Sequence, residues 1–449
     1  MKSRVEYFWE MLSSSLWFVP SAMTILALGL AFGSIALDDA ITDNGWAYGG
    51  GPEGARQILA AIAASMITVA GVAFSVTIVA LTLASQQFGP RLLRNFMRDR
   101  GNQVVLGTFI ATFTYSLIVL RTIRSDGSEF VPHISVTLAI LFALASLGIL
   151  IYFIHHAAAS IQAPEVIAMV VGDLDQGIDR LFPETLGRPP AENEDEPSPE
   201  IARDFAGQAE TIPCRFTGYL QSIDNDLLMT IATENDLVLR LPCRPGDFII
   251  EGDDLVQVKR CGRADDELID KIHDAFIFGN ERTHLQDIEF SVHQLVEVAV
   301  RALSPAFNDP ITAMTCIDRL AAALCRLARR SMPAACRYDD HDQLRVIVVR
   351  PVRFGEVVDG AFNLIRQYGR SSAAVTIRLL EAIALIARRV QREADRVALF
   401  NQAVIIERGS HDALPEERDR QEVQERFKKA VLALQERAWR ELLGQSAAR

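Results

Sequence analysis

Cysteine is missing from the first 213 residues, and no two cysteines have C-x-x-C spacing. The chain has six cysteines: Cys214, Cys243, Cys261, Cys316, Cys325 and Cys336. This spacing does not fit a cysteine-rich metal site. The pattern is typical of reduced, separately buried thiols in a cytosolic compartment.

Charged residues are missing from four long stretches, although Asp, Glu, Lys and Arg make up 23% of the 449 residues. These stretches are 11–37, 57–90, 101–120 and 130–164. Each is long enough for the ~20 residues that cross a hydrocarbon core of ~30 Å. The sequence therefore predicts transmembrane helices near 16–37, 58–84, 104–122 and 134–156. The first is too long for a signal peptide and has acids beside its basic residues, so we expect it to be retained.

The net charge of −12 is confined to the part of the chain that follows the four stretches. Residues 1–160 contain nine basic and nine acidic side chains, which balance. An acidic C-terminal region makes nucleic acid an unfavourable partner, because phosphate binding requires clustered Lys and Arg.

The basic residues predict the orientation of the spans. Arg91, Arg94, Arg98 and Arg100 lie between spans two and three, and the 38–56 link is acidic. The positive-inside rule then places both termini and the 85–103 link in the cytoplasm of a bacterial inner membrane. Arg121 and Arg124, just past span three, count against this orientation.

Hydroxyl side chains recur along span two. Thr68, Ser75 and Thr82 are seven residues apart and share a helix face, with Ser65 and Gln86 near the same stripe. One interpretation is helix–helix packing, because small and hydroxyl side chains let backbones approach. The other is a pore-facing stripe in an oligomer, since hydroxyls suit a weakly selective lumen.

No acid or base lies in the middle of any span, which disfavours an ion-coupled transporter. His155 and His156 lie at the cytoplasmic end of span four. They are interpreted either as an ordinary pair at a helix end or as a pH-responsive pair.

The rest of the chain changes character three times. We predict a four-span domain at 1–165, a helical connector with an acidic, proline-rich linker at 166–210, a small β module at 211–265 and a mostly helical domain at 266–449. Short strand-like runs, among them LLMTIAT (227–233), mark the β module. It resembles half of a biotinyl or lipoyl barrel-sandwich module. The run IDNDLL (223–228) has no Lys where such a module carries its cofactor, so we expect no attached cofactor.

The helical domain contains the phrase ALSPAFNDP (302–310) between two amphipathic helices. Asp309 before Pro310 fits an N-cap and a first helical turn, so the phrase is explained as a sharp turn. Alternatively, Ser304, Asn308 and Asp309 present a polar contact site to a ligand or a neighbouring subunit. Helices are also expected near 355–369, 372–403 and 414–444, with a strand at 344–350.

Catalytic signatures are absent from the sequence. There is no phosphate-binding glycine loop, no H-E-x-x-H and no G-x-S-x-G, and the histidine spacing suggests no metal cluster. We therefore assign no catalytic residue, metal or cofactor, and an enzymatic role is unsupported.

Four sequence blocks look familiar: SQQFGPRLLRNFMRDRGNQVVLGTF (85–109), IHH with IQAPEVI (154–167), RPGDFIIEG (244–252) and QDIEFSVHQLVEVAVRALSPAFNDPITA (286–313). On these blocks the chain resembles a bacterial family of predicted inner-membrane proteins, domain of unknown function 2254. The resemblance implies a multi-span membrane domain and a cytoplasmic C-terminal region, and it implies no activity.

Two hypotheses follow. The first is a homo-oligomeric, channel-like protein in the lipid bilayer, with span two lining a pore and a cytoplasmic vestibule or gating domain. The alternative is a membrane-anchored scaffold or sensor that binds a protein or small ligand through its cytoplasmic region.

Overall fold

The computed structural model describes residues 15–40, 48–92, 96–97, 99–124, 130–182, 209–259 and 265–446, with side chains described up to 435. The chain divides into two compact units, Met1–Val166 and Ile167–Arg449. Several features of the sequence lie outside the described residues: Arg94, Arg98, Cys261 and the acidic run 187–200. The four-part division predicted from the sequence stays a prediction.

The first unit is built from four long helices: α1 (Phe18–Ala40), α2 (Pro52–Phe88), α3 (Arg100–Thr122) and α4 (His133–Ser160). All four are long and apolar enough to cross a membrane, which confirms the predicted spans. The 37 residues of α2 form one unbroken helix. At 1.5 Å per residue it is ~55 Å long, well beyond a hydrocarbon core of ~30 Å.

The core of the first unit forms around α3, which is the most buried of the four helices. Phe109 and Tyr115 of α3 and Leu59 of α2 are fully buried there. Small residues allow the close approach of neighbouring helices. A Cβ on Gly107 would lie 2.5 Å from Met23 Sδ and 3.2 Å from the Cα of Pro20, so α1 and α3 pack tightly at this point.

The second unit contains two small sheets, whose strands are β1 (Ala209–Pro213), β2 (Gly218–Ile223), β3 (Val238–Leu241), β4 (Phe248–Ile249), β5 (Asp254–Lys259), β6 (Phe276–Gly279), β7 (Cys336–Tyr338) and β8 (Leu344–Val348). The order is β1-β5-β3-β8-β7 in one sheet and β4-β2-β6 in the other. Among the strands that the structure describes, β3 and β8 pair in parallel and every other pair is antiparallel.

This topology differs from the barrel-sandwich resemblance in two ways. First, LLMTIAT lies in a helix, α6 (Asn225–Glu234), where we expected a strand. Asp224 caps that helix at Leu227 N, and its buried Leu228, Ile231 and Ala232 follow helical spacing. Second, the sheets are not limited to 211–265, because they include strands from 276–279 and 336–348.

The remaining elements of the second unit are helices: α5 (Ala163–Leu181), which begins in the first unit, α7 (Asp266–Asp274), α8 (Ile288–Ala302), α9 (Pro310–Leu327), α10 (Phe354–Gly369), α11 (Ala373–Ala387), α12 (Glu393–Ala413) and α13 (Glu417–Ser446). The helix predicted at 372–403 is in fact two, α11 and α12, because the chain turns at 388–392.

The five described cysteines are all free thiols. Burial raises the pKa of both Cys243 and Cys316 to about 12, so these two thiols are protonated and unreactive at neutral pH.

Candidate functional site

The hydroxyl stripe of α2 lies on the helix face opposite its packed face. Ala63, Ala70, Ala73, Thr77 and Ala84 are buried against the other helices. The predicted stripe residues are all exposed within the chain: Ser65, Thr68, Ser75, Thr82 and Gln86. The structure therefore keeps them together on one face and does not use that face for packing within the subunit.

Three of the four stripe hydroxyls donate to backbone carbonyls of their own helix. Ser65 Oγ donates to Ala61 O at 2.7 Å, Thr68 Oγ1 to Ala64 O at 2.8 Å and Thr82 Oγ1 to Ile78 O at 2.9 Å. A hydroxyl bonded in this way can face lipid, a neighbouring helix or water at little cost. The stripe is consequently compatible with both interpretations of the sequence.

A buried polar network joins the end of α1, the middle of α3 and the start of α4. Asp38 accepts hydrogen bonds from Ile134 N at 2.7 Å and Ser135 N at 2.9 Å, so it caps α4 from another helix. Ser135 Oγ lies 2.6 Å from Asp38 Oδ2 and 2.9 Å from Ser34 Oγ. Ser34 also shares a hydrogen bond of 2.8 Å with the Tyr115 hydroxyl. Local sequence patterns do not reveal this network, because its members lie far apart in the chain.

The two histidines of α4 have different surroundings. His156 Nε2 lies 2.5 Å from Asp99 Oδ2, and its ring stacks on Tyr152. Asp99 also accepts from Gly101 N at 2.8 Å and so caps α3. The structure therefore separates the two predicted histidines: His156 contacts Asp99, which was not among the predicted residues, whereas the side chain of His155 is exposed.

The ALSPAFNDP phrase forms a sharp turn with a left-handed residue. Asn308 has φ +46°, and Asp309 N donates to Ala302 O at 2.7 Å. Asp309 caps α9 through Ile311 N and Thr312 N, both at 3.1 Å, and accepts a hydrogen bond from the Thr312 hydroxyl. These bonds hold the pKa of Asp309 below its usual range.

The turn presents apolar groups to solvent beside its polar ones. Phe307 is 51% exposed and Ile311 is 71% exposed. Ser304 is partly buried, and its carbonyl accepts from Asn308 N at 2.9 Å. Of the three predicted contact residues, Asn308 and Asp309 reach the surface, and the structure adds the two apolar side chains to them.

Two of the sequence blocks meet in the second unit. Gly246 of the RPGD block has φ +99°, and a Cβ there would lie 2.5 Å from Asp287 Oδ2 of the QDIEF block. Arg244 also bridges the blocks, because it donates to Glu289 at 2.8 Å and to Glu356 of α10 at 2.8 Å. Burial raises the pKa of Glu289, and Arg244 opposes that shift.

Asp287 forms the centre of this charged cluster. It is 5% exposed, receives two hydrogen bonds from Arg282 at 2.7 and 2.9 Å, and caps α8 through Phe290 N at 3.1 Å. The cluster ties the β4 turn to the starts of α8 and α10. Since every described carboxylate in it has a cationic partner, it is a structural clamp. Among the residues that the structure describes, no three His, Cys, Asp or Glu side chains are grouped as metal ligands.

Four candidate spans followed by a mixed helical and β region define a multi-span membrane protein. Residues 13–385 match the family model described as "Predicted membrane protein (DUF2254)", and the chain belongs to this family. It is 32% identical over 436 residues to the uncharacterized protein Mb1321c of Mycobacterium bovis and equally to the uncharacterized protein Rv1290c of Mycobacterium tuberculosis. Each match covers 94% of this chain and 81% of the relative. No solved structure matches the chain.

Proposed function

We propose that this membrane protein is a homo-oligomeric, channel-like protein in which α2 lines a pore shared between subunits. One observation carries the proposal: the stripe Ser65, Thr68, Ser75, Thr82 and Gln86 faces away from the packed core of its own subunit. A helix face with small and hydroxyl residues at this spacing suits contact with symmetry-related copies around an axis.

The packing of the first unit favours a shared pore over one within a single subunit. Phe109, Tyr115 and Leu59 fill the space between the helices of one bundle. The Thr112–Ser146 hydroxyl pair, at 3.2 Å, lies between the two apolar clusters of that bundle. A weakly selective lumen needs only hydroxyl groups that contact water, and it needs no fixed charge. The α2 stripe supplies such hydroxyl groups.

The proposal includes the location predicted from charge. We place the protein in a bacterial inner membrane with both termini in the cytoplasm, because Arg91 and Arg100 flank the link that follows α2 and Asp38 and Glu53 flank the link that precedes it. The region after residue 167 would then form a cytoplasmic vestibule or gating domain.

Conductance of the purified protein in planar bilayers tests the proposal. Ser75→Trp adds bulk in the middle of the stripe and is expected to lower the unit conductance. Phe74→Trp is the matched control, because Phe74 is 51% exposed on an adjacent face of the same turn. Wild-type protein without conductance, or a Ser75→Trp channel that conducts like wild type, would contradict the proposal.

A scaffold or sensor role is the second candidate, and the exposed apolar part of the ALSPAFNDP turn favours it. Phe307 and Ile311 stand beside the polar Asn308 and Asp309 on a turn fixed by a helix cap. Exposed apolar groups with polar neighbours are typical of contact surfaces. A photocrosslinker at position 308 should capture a partner or a second copy, and the same crosslinker at Asp340 should not. Equal yields at both positions would remove this candidate.

A further inference from the structure

Two surfaces of the second unit are apolar and carry opposite charges. A ring of three or more copies, which the proposed pore requires, needs two different surfaces on each subunit, because each copy meets one neighbour with one surface and the other neighbour with the other. Two such surfaces must match in charge as well as in apolar character.

The first surface is formed by two adjoining loops of the β4-β2-β6 sheet. Its three apolar side chains are 58%, 56% and 55% exposed, in the order Phe216, Phe248 and Ile250. Phe248 and Ile250 project to the same side of the chain, because they are two positions apart in extended backbone. Glu251 N donates to Thr217 Oγ1 at 3.0 Å, and this bond holds the loop of Phe216 beside that of Ile250.

Three exposed carboxylates border these apolar side chains: Glu251, Asp253 and Asp254. Asp253 accepts a hydrogen bond from Ile250 N at 3.1 Å, and Asp254 accepts one from Gln257 Nε2 at 3.1 Å. None of the three forms an ion pair with another residue that the structure describes. The three apolar residues and the three carboxylates together are called the acidic surface.

The second surface follows a groove of about 440 Å³ between α10 and α12. The apolar part of its lining consists of Ala398, Val404 and Ile405. Val397 lies on the same face of α12 as Val404, seven positions earlier, and it is 48% exposed. Phe400 is 43% exposed on the same helix. Exposed apolar groups that are contiguous in this way are typical of contact sites.

Two guanidinium groups lie at one end of the groove. Arg366 donates to Asn363 Oδ1 at 3.4 Å, and Asn363 lines the groove. Arg408 is exposed and follows Val404 by one helical turn. Burial and the positive charge of Arg408 hold the pKa of Arg366 below its usual range. Within the part of the chain that the structure describes, neither arginine has a carboxylate partner. The groove, with Val397, Phe400 and the two arginines, is called the basic surface.

We propose that the acidic surface of one copy docks on the basic surface of the next copy, an inference that rests on the proposed ring. The apolar side chains of the acidic surface would lie in the groove, and Glu251 would face Arg366 and Arg408. Each surface lacks a counter-charge within its own subunit, and a second copy supplies it. The contact is head-to-tail, which is the kind that closes into a ring.

Photocrosslinking of the full chain in detergent tests this contact. Benzoylphenylalanine replaces Phe248, and a crosslink between copies gives a denatured product of twice the mass of the chain. Mass spectrometry of that product is expected to find the crosslink within residues 397–408. Benzoylphenylalanine at Tyr338, an exposed aromatic position outside both surfaces, is the control and should give no crosslink to that run.

A charge swap tests the electrostatic part of the contact. Arg408→Glu should lower the yield of the crosslink at least about fivefold, because like charges then face each other. Adding Glu251→Arg restores opposite charges, so the yield should return to at least about half of that of wild type. Both positions are exposed, so the variants should fold normally.

Three results would overturn the inference. The first is the absence of a product of twice the mass. The second is a product that is crosslinked outside residues 397–408. The third is a double variant that crosslinks no better than Arg408→Glu alone. A protein that conducts but crosslinks elsewhere loses this interface and keeps the pore, whereas the expected crosslinks without conductance keep the interface and remove the pore.

Discussion

Replacing Asp287 by Ala should destabilise the second unit more than most single substitutions. Asp287 is almost fully buried, binds Arg282 through two hydrogen bonds and caps α8. Loss of one partner of a buried ion pair is worth ~3–5 kcal/mol, and loss of a helix cap is worth ~1 kcal/mol. Because Arg282 is 24% exposed, water replaces part of the lost interaction. We therefore expect a total loss of about 3–4 kcal/mol.

Thermal unfolding of the detergent-solubilised full chain measures this loss. In a unit of this size 1 kcal/mol lowers the midpoint by ~2–4 °C, so Asp287→Ala should lower it by roughly 6–16 °C. Asp340→Ala, at an exposed position, is the control and should change stability by less than ~0.5 kcal/mol.

A second variant separates the ion pair from the cap. Adding Arg282→Leu to Asp287→Ala should cost less than the sum of the two single changes, because no unpaired guanidinium remains. A midpoint for Asp287→Ala within ~2 °C of wild type would refute the reasoning, since it would mean that the clamp contributes little.

Three further predictions concern single carboxylates. Asp309→Ala should cost ~1 kcal/mol through loss of the α9 cap, and Asp309→Ser should recover most of it; melting curves that do not distinguish the two would contradict the cap. Arg345 holds the pKa of Asp339 at about 2, below its usual 3.8. The stability that wild type has over Asp339→Asn should thus be complete above pH ~4 and lost as the pH falls toward ~2; melting curves with a difference independent of pH would exclude this assignment. Asp38→Ala should lower the melting temperature of the first unit, because it removes the cap of α4, whereas the exposed Asp39→Ala should not.

The four spans could be predicted because each one is a single continuous stretch of uncharged residues. A run of uncharged residues identifies a helix that can cross a membrane without knowledge of its neighbours. The common face of Thr68, Ser75 and Thr82 follows from helical spacing alone. The opposite face of α2 packs against other helices through Ala63, Ala70, Ala73 and Ala84. The hydroxyl face is therefore left exposed.

The second unit was predicted less well, because its sheets depend on long-range pairing. β3 and β8 pair in parallel although about a hundred residues separate them. The local sequence of either strand does not indicate its pairing partner. The run LLMTIAT has strand-forming residues, yet Asp224 provides a helix cap just before it. Burial of Leu228, Ile231 and Ala232 on one side then favours the helix over the strand.

The polar contacts of the site could not be predicted from local sequence patterns either. Asp38 lies at the end of one span and caps the helix of another, about a hundred residues later. His156 contacts Asp99 across 57 positions, whereas its sequence neighbour His155 remains exposed. A Cβ on Gly246 would lie 2.5 Å from Asp287 Oδ2, so the RPGD and QDIEF blocks, which lie far apart in the chain, each provide part of the same clamp.

The mass of the detergent-solubilised protein, measured by light scattering with the detergent contribution subtracted, tests the proposed shared pore most directly. A pore lined by α2 requires a closed ring, so the account predicts at least three copies of the chain in each particle. Ser75→Trp should assemble to the same number of copies if it only narrows the lumen. A monomer or a simple dimer in wild type would leave no central axis for α2 to line, and it would contradict the central claim.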